Sequence, residues 1–388
     1  MNHKLANNET FNITKGSDTT DVLDLLEKLS PLIPYVDTLT DDTPDEEKYL
    51  TFEAIEDTTF SIVFESGKYD MTQEMRESFS YSIDNGQTWT TFTTPSNGYS
   101  GTALTTPTIH KGGKVLWKGI GSGNYNGGAY CHFTSTGEFN VSGNIMSLLY
   151  GDDFIGENSL ADTQRTFHRL FENCKIINAE NLILSATTLA FYCYNGMFYH
   201  CDLLSSAPKL PATTLAEYCY TEMFCGCMSL TKAPNLPATT LALGCYSYMF
   251  TECGLIVAPT LPATTLTQAC YISMFRDCPL LAKAPQLPAT TLENECYDSM
   301  FSGCTALVKA PDLPATTLVY YCYNRMFEGC QNLNYIIARF TTTPSNTYTS
   351  DWVKGVATRG TFYKNVSATW NVTGTNGIPS GWTVGSTS

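Results

Sequence analysis

Leu210-Pro211-Ala212-Thr213-Thr214-Leu215-Ala216-Glu217-Tyr218-Cys219-Tyr220-Thr221-Glu222-Met223-Phe224-Cys225-Gly226-Cys227 is one copy of a unit that returns along the chain, and its reading decides the fold. The hexapeptide Leu-Pro-Ala-Thr-Thr-Leu starts at Leu210, Leu236, Leu261, Leu287 and Leu313, and Leu184 opens a variant, Leu-Ser-Ala-Thr-Thr-Leu. From Leu184 onward the starts lie 26, 26, 25, 26 and 26 residues apart. Spacing this regular means stacked units that share one continuous core, each too small to bury its apolar face alone.

Within the unit, Leu215, Cys219, Met223 and Cys227 recur every fourth residue, with Tyr220 and Phe224 beside them. That is the pattern of one apolar stripe on about three turns of helix. The Thr-Thr pair in front can supply an N-cap hydroxyl. After the second Cys, residues 229–234 form a short apolar stretch ended by Pro, as a strand in a parallel array would be. Prolines at 208, 234, 259, 285 and 311, each followed three residues later by another, fix the bend back into the next helix. One strand and one helix per turn predict a right-handed coil with a parallel sheet on its concave side, because strands space at ~4.8 Å and helices at ~8–10 Å. Truncated units at 170–174 and 333–337 close the ends.

Twelve of the fifteen cysteines hold fixed places in this unit. Two cysteines eight residues apart on a helix are ~12 Å apart, and neighbouring helices at ~9 Å also exceed disulfide reach. The thiols therefore read as small buried apolar plugs. A metal ladder would need His partners, and none of the five His sits at a repeating position. Cys225, beside Gly226, reads as facing outward.

The rest of the chain reads differently. At 388 residues with 43% hydrophobic content, two or three folding units are expected. There is no run of eighteen apolar residues, so no membrane insertion is expected. The polar start, MNHKLANNETFNITKGSDTT, lacks a secretory pattern, and export by a cleaved signal is not expected. Of the net charge of −15, residues 1–60 carry −10 (fourteen Asp/Glu against four Lys/Arg), and so acidic a chain is a poor nucleic-acid partner. Asp41, Asp42, Asp45, Glu46 and Glu47 read as a solvated linker. Ahead of it, residues 20–29 read as a capped amphipathic helix with Val22, Leu25, Leu26 and Leu29 on one face, ended by Pro31 and Pro34. Such a short helix must dock on something: a larger assembly, a second copy, or the domain that follows.

Residues 49–150 are rich in Thr, Ser, Tyr and Gly, with alternating runs at 60–64 and 114–118, and predict a small antiparallel β-sandwich. Inside them, Ser82-x-Asp84-x-Gly86-x-x-Trp89 matches the Asp-box hairpin of sialidase-like propellers, a structural motif of which one copy implies one hairpin. Tyr150-Gly151-Asp152-Asp153 looks like a polymerase metal turn, where paired carboxylates would hold Mg²⁺. No third acidic motif follows and the charge is wrong, so an interdomain loop is the expectation.

The Met-Phe-x-x-Cys-x-x-Leu signature with Pro-flanked strands resembles the BspA-type (Treponema pallidum-like) leucine-rich repeats of bacterial surface proteins, over residues 167–337. Residues 51–55 with 141–149 look like the leading domain of such proteins in Bacteroides and its phages, and residues 360–364 through 376–384 are similar to their C-terminal cap. The resemblance implies a right-handed α/β leucine-rich-repeat solenoid of about six repeats (151–340). An N-terminal anchor helix and acidic linker (1–48) and the β-sandwich (49–150) would precede it, and a C-terminal β cap (341–388) would follow. It implies adhesion without catalysis, metal or cofactor. The missing signal points to the surface of a virion, such as that of a crAss-like phage, as a fibre or decoration. Partners would be other virion proteins through the N-terminal segment and a host-surface glycan or protein, with homo-oligomers open. A bacterial cell-surface adhesin and a purely architectural virion component remain alternatives. An Asp-box-type glycosidase would need two carboxylates flanking a cleft, whereas Glu222, Asp277 and Asp298 are isolated. Invariant repeat positions belong to the core, so ligand contacts are expected where copies differ: at Ser206, Lys232, Val257, Lys283, Lys309 and Tyr335 on the strand side, and at Phe191, Tyr192, Tyr218, Tyr320 and Tyr321 before Cys-Tyr. The alternative for each aromatic is simple packing on its neighbour.

Overall fold

The computed structural model describes residues 2–4, 10–12, 47–65, 78–93, 101–120, 130–161 and 163–387. The chain divides into two compact units, residues 1–44 and 45–388. In the first, β1 (Asn2–Lys4) pairs antiparallel with β2 (Thr10–Asn12), Asn2 opposite Asn12. The expected anchor helix with Val22, Leu25, Leu26 and Leu29 lies outside the described residues, and the part of this unit that is described is strand.

The second unit begins with alternating strands. β3 (Leu50–Ala54) buries every second residue, Leu50, Phe52 and Ala54. It is followed by β4 (Phe60–Glu65), β5 (Ser78–Ser82), β6 (Thr90–Thr93), β7 (Gly101–Thr105), β8 (Lys114–Ile120), β9 (Tyr130–Ser135) and β10 (Phe139–Asn144). One sheet runs β10-β3-β8-β5-β6, and a second runs β7-β4-β9. Their faces meet through aromatic rings. Phe52 of β3 touches Phe60, Trp117, Phe133 and Phe139, with centroids 4.8–5.6 Å apart, three of these residues being fully buried and Phe133 1% exposed. The first sheet does not stop there. β10 also pairs in parallel with β11 (Ile176–Asn178) and β12 (Leu182–Ile183), so the sheet leads into the repeats.

The repeats are not an α/β leucine-rich-repeat solenoid. α-Helix among the described residues is confined to two four-residue pieces, Ser147–Tyr150 and Asn346–Thr349, the first followed by a 3₁₀ turn at Gly151–Asp153, and none lies in a Cys-Tyr-x-x-Met-Phe segment. Those segments are chains of turns. In the copy at 218–227, Cys219, Thr221, Met223, Cys225 and Cys227 donate their amides three residues back, to Ala216, Tyr218, Tyr220, Glu222 and Phe224. The amides between them, of Tyr218, Tyr220, Glu222, Phe224 and Gly226, donate instead to Leu243, Cys245, Ser247, Met249 and Thr251 of the next copy. No amide is left for the i→i−4 bond a helix needs.

The reversal comes from a left-handed residue at every fourth position. Tyr218, Glu222 and Gly226 have φ of 55°, 58° and 78°, and Gly244, Tyr248 and Glu252 repeat this one copy later. The interval of four read as helical is thus the interval between left-handed residues. Such a conformation costs a non-glycine residue about 1–2 kcal/mol. Five inter-repeat bonds return roughly 0.5–1.5 kcal/mol each. The two effects largely offset, and side-chain packing decides the stability.

That packing consists of columns. Tyr194, Tyr220, Tyr246, Tyr271, Tyr297 and Tyr323 stack ring on ring at 5.9–6.0 Å. Phe198, Phe224, Phe250, Phe275, Phe301 and Phe327 do so at 5.4–5.8 Å. With both columns spaced alike, the ~8–10 Å helix separation that would curve the stack never arises. The expected strands shrink to single parallel bridges, Lys232 to Val257, Val257 to Lys283 and Lys309 to Tyr335, because Pro two residues later has no amide to extend them.

The cysteines do more than fill space. Cys201, Cys227, Cys253, Cys278, Cys304 and Cys330 each point their thiol at the carbonyl of the preceding copy's Phe, at 2.9–3.2 Å. All fifteen are free and buried, Cys225 included, which corrects its reading as outward.

Both ends of the stack are covered. In front, Phe133 stacks on Phe171 and donates its amide to Leu170. Behind, the Trp352 ring lies against both Tyr323 and Phe327. There β13 (Tyr335–Ala338), β14 (Thr361–Asn365) and β15 (Thr383–Thr387) form a parallel sheet.

Candidate functional site

Asp84, Asp152, Glu222, Asp277 and Asp298, singled out in the sequence, are each engaged by neighbouring groups. Asp84 accepts from the Ser82 hydroxyl and from the Thr88 amide and hydroxyl, and the Trp89 indole donates to the Gly86 carbonyl, closing the hairpin. The Thr88 hydroxyl and amide bonds, with that from Ser82, hold the Asp84 carboxyl down at about 2. Asp152 accepts from Lys118 Nζ at 2.7 Å and from the Tyr49 hydroxyl at 2.8 Å. Those two bonds lower its pKa, while burial and then Asp152 push the Tyr49 phenol up to about 12. Lys118 also sits 4.1 Å over the Trp89 ring, so Asp152 locks the hairpin to the sheet. In the repeats, Glu222 pairs with Arg169, Asp277 with Arg276, and Asp298 accepts from Ser299 and Asn324. Among the described residues no cluster of three or more His, Cys, Asp and Glu has the arrangement to hold a metal ion.

The candidate aromatics fall into two separate groups. Tyr192 stacks on Tyr218 at 5.0 Å, Phe191 meets both edge-on, and the Arg165 guanidinium lies 5.2 Å over Tyr192. Burial raises the Tyr192 pKa first, with Tyr218 adding to it. Tyr320 and Tyr321 stack at 4.1 Å, but Gly244, Ala269 and Glu295 occupy the left-handed column between Tyr218 and Tyr321. The repeat fold therefore places the two groups apart, and each is satisfied mainly by its own neighbours.

The strand-side candidates come together. Bridges put Lys232, Val257 and Lys283 on three successive levels and join Lys309 to Tyr335, the repeat sets Lys309 one copy after Lys283, and the Lys309 ammonium lies 4.8 Å over the Tyr335 ring. Lys232, Val257, Lys283 and Lys309 are all exposed, Val257 at 50%. At the front end of this file a groove of about 700 Å³ opens between Glu180, Lys209 and Lys232, floored by Pro208, Pro211 and Pro234. Sequence reasoning missed Lys209, Ile256 and Val308. The signal was available: they occupy positions as variable between copies as the chosen ones, one residue from a proline or from the lysine file.

Comparison of the chain with protein-family models, with curated proteins and with solved structures gave no match.

Proposed function

We propose that this protein is a non-enzymatic scaffold that displays the exposed, variable residues of its stacked turns to a glycan or protein on a cell surface. The setting proposed is the fibre or decoration of a virion, with a bacterial cell surface as the alternative that the repeat signature itself suggests. The observation that carries this reading is the division of labour within the repeat. The residues that recur, Leu, Cys, Tyr, Met and Phe, are buried in every copy, whereas those that differ, such as Lys232, Val257, Lys283 and Lys309, line up outside. A lattice of constant core with a changing exterior serves recognition over a long surface. The carboxylates with the best claim to catalysis are spent on a hairpin and on ion pairs, which argues against hydrolysis. The N-terminal unit would mount the scaffold on neighbouring virion proteins. The test is binding of the fluorescently labelled full chain to intact bacterial cells from a host panel. Saturable binding to some strains is expected. Uniform absence of binding, with the protein still incorporated into particles, would leave only an architectural role.

A further inference from the structure

We infer that the lysine file is a binding site for a linear acidic polysaccharide, laid along the stack with its carboxylates on Lys232, Lys283 and Lys309 and its sugar faces on the apolar side chains between them. The inference rests on the binding reading above and names its ligand class.

Charge comes first. The protein carries −15, yet four cations gather on this one face, and none of Lys209, Lys232, Lys283 and Lys309 is ion-paired among the described residues. Several cations elsewhere are neutralised: Lys118 by Asp152, Arg169 by Glu172 and Glu222, Arg339 by Asp312, Lys354 by Glu328 and Asp351. Asp312 is taken up by Arg339, and Glu180 lines the groove at the front of the file beside Lys209 and Lys232. Four exposed ammonium groups gathered on one face, without an ion-pair partner among the described residues, make a local anion site on an acidic molecule.

Spacing selects the kind of anion. Backbone-bonded levels of a parallel array are ~4.8 Å apart. Two bridges, through Val257, separate Lys232 from Lys283, about 10 Å, and Lys309 holds the same position one repeat after Lys283, about 5 Å further at that level spacing. A duplex nucleic acid carries a charge every ~1.7 Å and would meet an acidic protein with most of its phosphates unanswered. A polyuronate, with one carboxylate on each sugar or each second sugar, has the sparse and regular charge that this file answers. An acidic protein segment has no such period. The surfaces between the charges suit sugar rings: Val257 and Ile256, each 50% exposed, Val308 at 49%, and Tyr335 at the end of the file. Flat apolar and aromatic surface flanked by charge is how extended ligands are held without a deep pocket.

The test uses the full chain and immobilised polygalacturonate, with a neutral dextran, polyglutamate and single-stranded polynucleotide as comparison matrices. Retention on polygalacturonate alone is expected, falling as salt rises because the ion pairs are exposed. The triple variant Lys232→Gln, Lys283→Gln, Lys309→Gln should bind at least tenfold more weakly. Lys354→Gln, which removes a cation already neutralised, should bind as the parent does. All replaced side chains are exposed, and unchanged circular dichroism and melting would confirm the fold. No retention on polygalacturonate, equal retention of the triple variant, or equal retention on polyglutamate or polynucleotide would each overturn the inference. If the parent binds cells but not polygalacturonate, this inference fails and the surface-binding reading stands; if it binds neither, both fail.

Discussion

The front sheets and the stacked turns bury aromatic rings in opposite ways. Around Phe52 the rings meet at interplanar angles from 47° to 78°, each contact different from the next. In the repeats the Tyr and Phe columns lie nearly parallel, within 13° from Tyr194 to Tyr323, and every level repeats the one before. The first is a single interlocking cluster, in which losing one ring loosens many. The second is a sum of like levels, in which loss is local and shared by two neighbours.

The largest separation between the regions should come from alkali. Burial holds the thiols of Cys193, Cys270 and Cys278 up at about 12, against an ordinary 9.0. Their folded value lies above the unfolded one, so the associated stability is intact below pH 9 and is lost as pH climbs from there toward 12. Each pH unit past 9 removes about 1.4 kcal/mol per thiol, and over the twelve repeat thiols this soon matches the whole stability of an ordinary domain. The front sheets hold only Cys131. Pulsed alkylation read by mass spectrometry should label the repeat thiols near pH 10 well before Cys131; simultaneous labelling would erase the distinction.

Next in size, Phe52→Ala and Phe250→Ala should each cost about 3–5 kcal/mol but spread differently. Phe52 also touches Phe171, the ring on which the first repeat is stacked, at 5.9 Å. Its loss should lower hydrogen-exchange protection in both regions, whereas Phe250→Ala should open only the turns around 224–275. If Phe250→Ala exposes the front sheets equally, the repeats are not a sum of levels.

These outcomes turn on features the sequence disclosed unevenly. The period, the levels and the buried identity of Leu215, Cys219, Tyr220, Met223, Phe224 and Cys227 were all legible, because apolar recurrence reports burial whatever the backbone does. The backbone itself was not. An interval of four suits a helix and a chain of turns alike, and the deciding bonds run to residues about 26 positions away. One clue was overlooked: Gly196, Gly226, Gly244, Gly303 and Gly329 fall on the left-handed columns, where a helix interior would pay about 1 kcal/mol for each. At the candidate site, the lysine file was legible as variable positions. The aromatics were not separable by sequence, since only the columns show that Gly244, Ala269 and Glu295 keep Tyr218 from Tyr321.

The smallest effect tests the thiol's role. Cys253 is 1% exposed and directs its Sγ to the Phe224 carbonyl at 3.0 Å. An apolar plug would prefer Ala to Ser; a donor should prefer Ser. Cys253→Ser is expected to be the more stable of the two by about 1 kcal/mol in denaturant titrations, and the reverse order would return the cysteines to mere filling.

The five amides that leave each turn segment from Tyr218 to Gly329 all point toward the following copy. Peptide dipoles of ≈3.5 D so aligned add rather than cancel, which gives this part of the molecule an electrical arrow. Its positive end meets carbonyls of 347–354, the next segment's Val353 amide then reaching the Thr375 carbonyl and its Asp351 amide the Asn376 side chain. Copies of the unit can therefore be gained or lost from the middle without altering the rule of assembly. The two ends, however, are not interchangeable, and a longer version of this protein would have to grow between them.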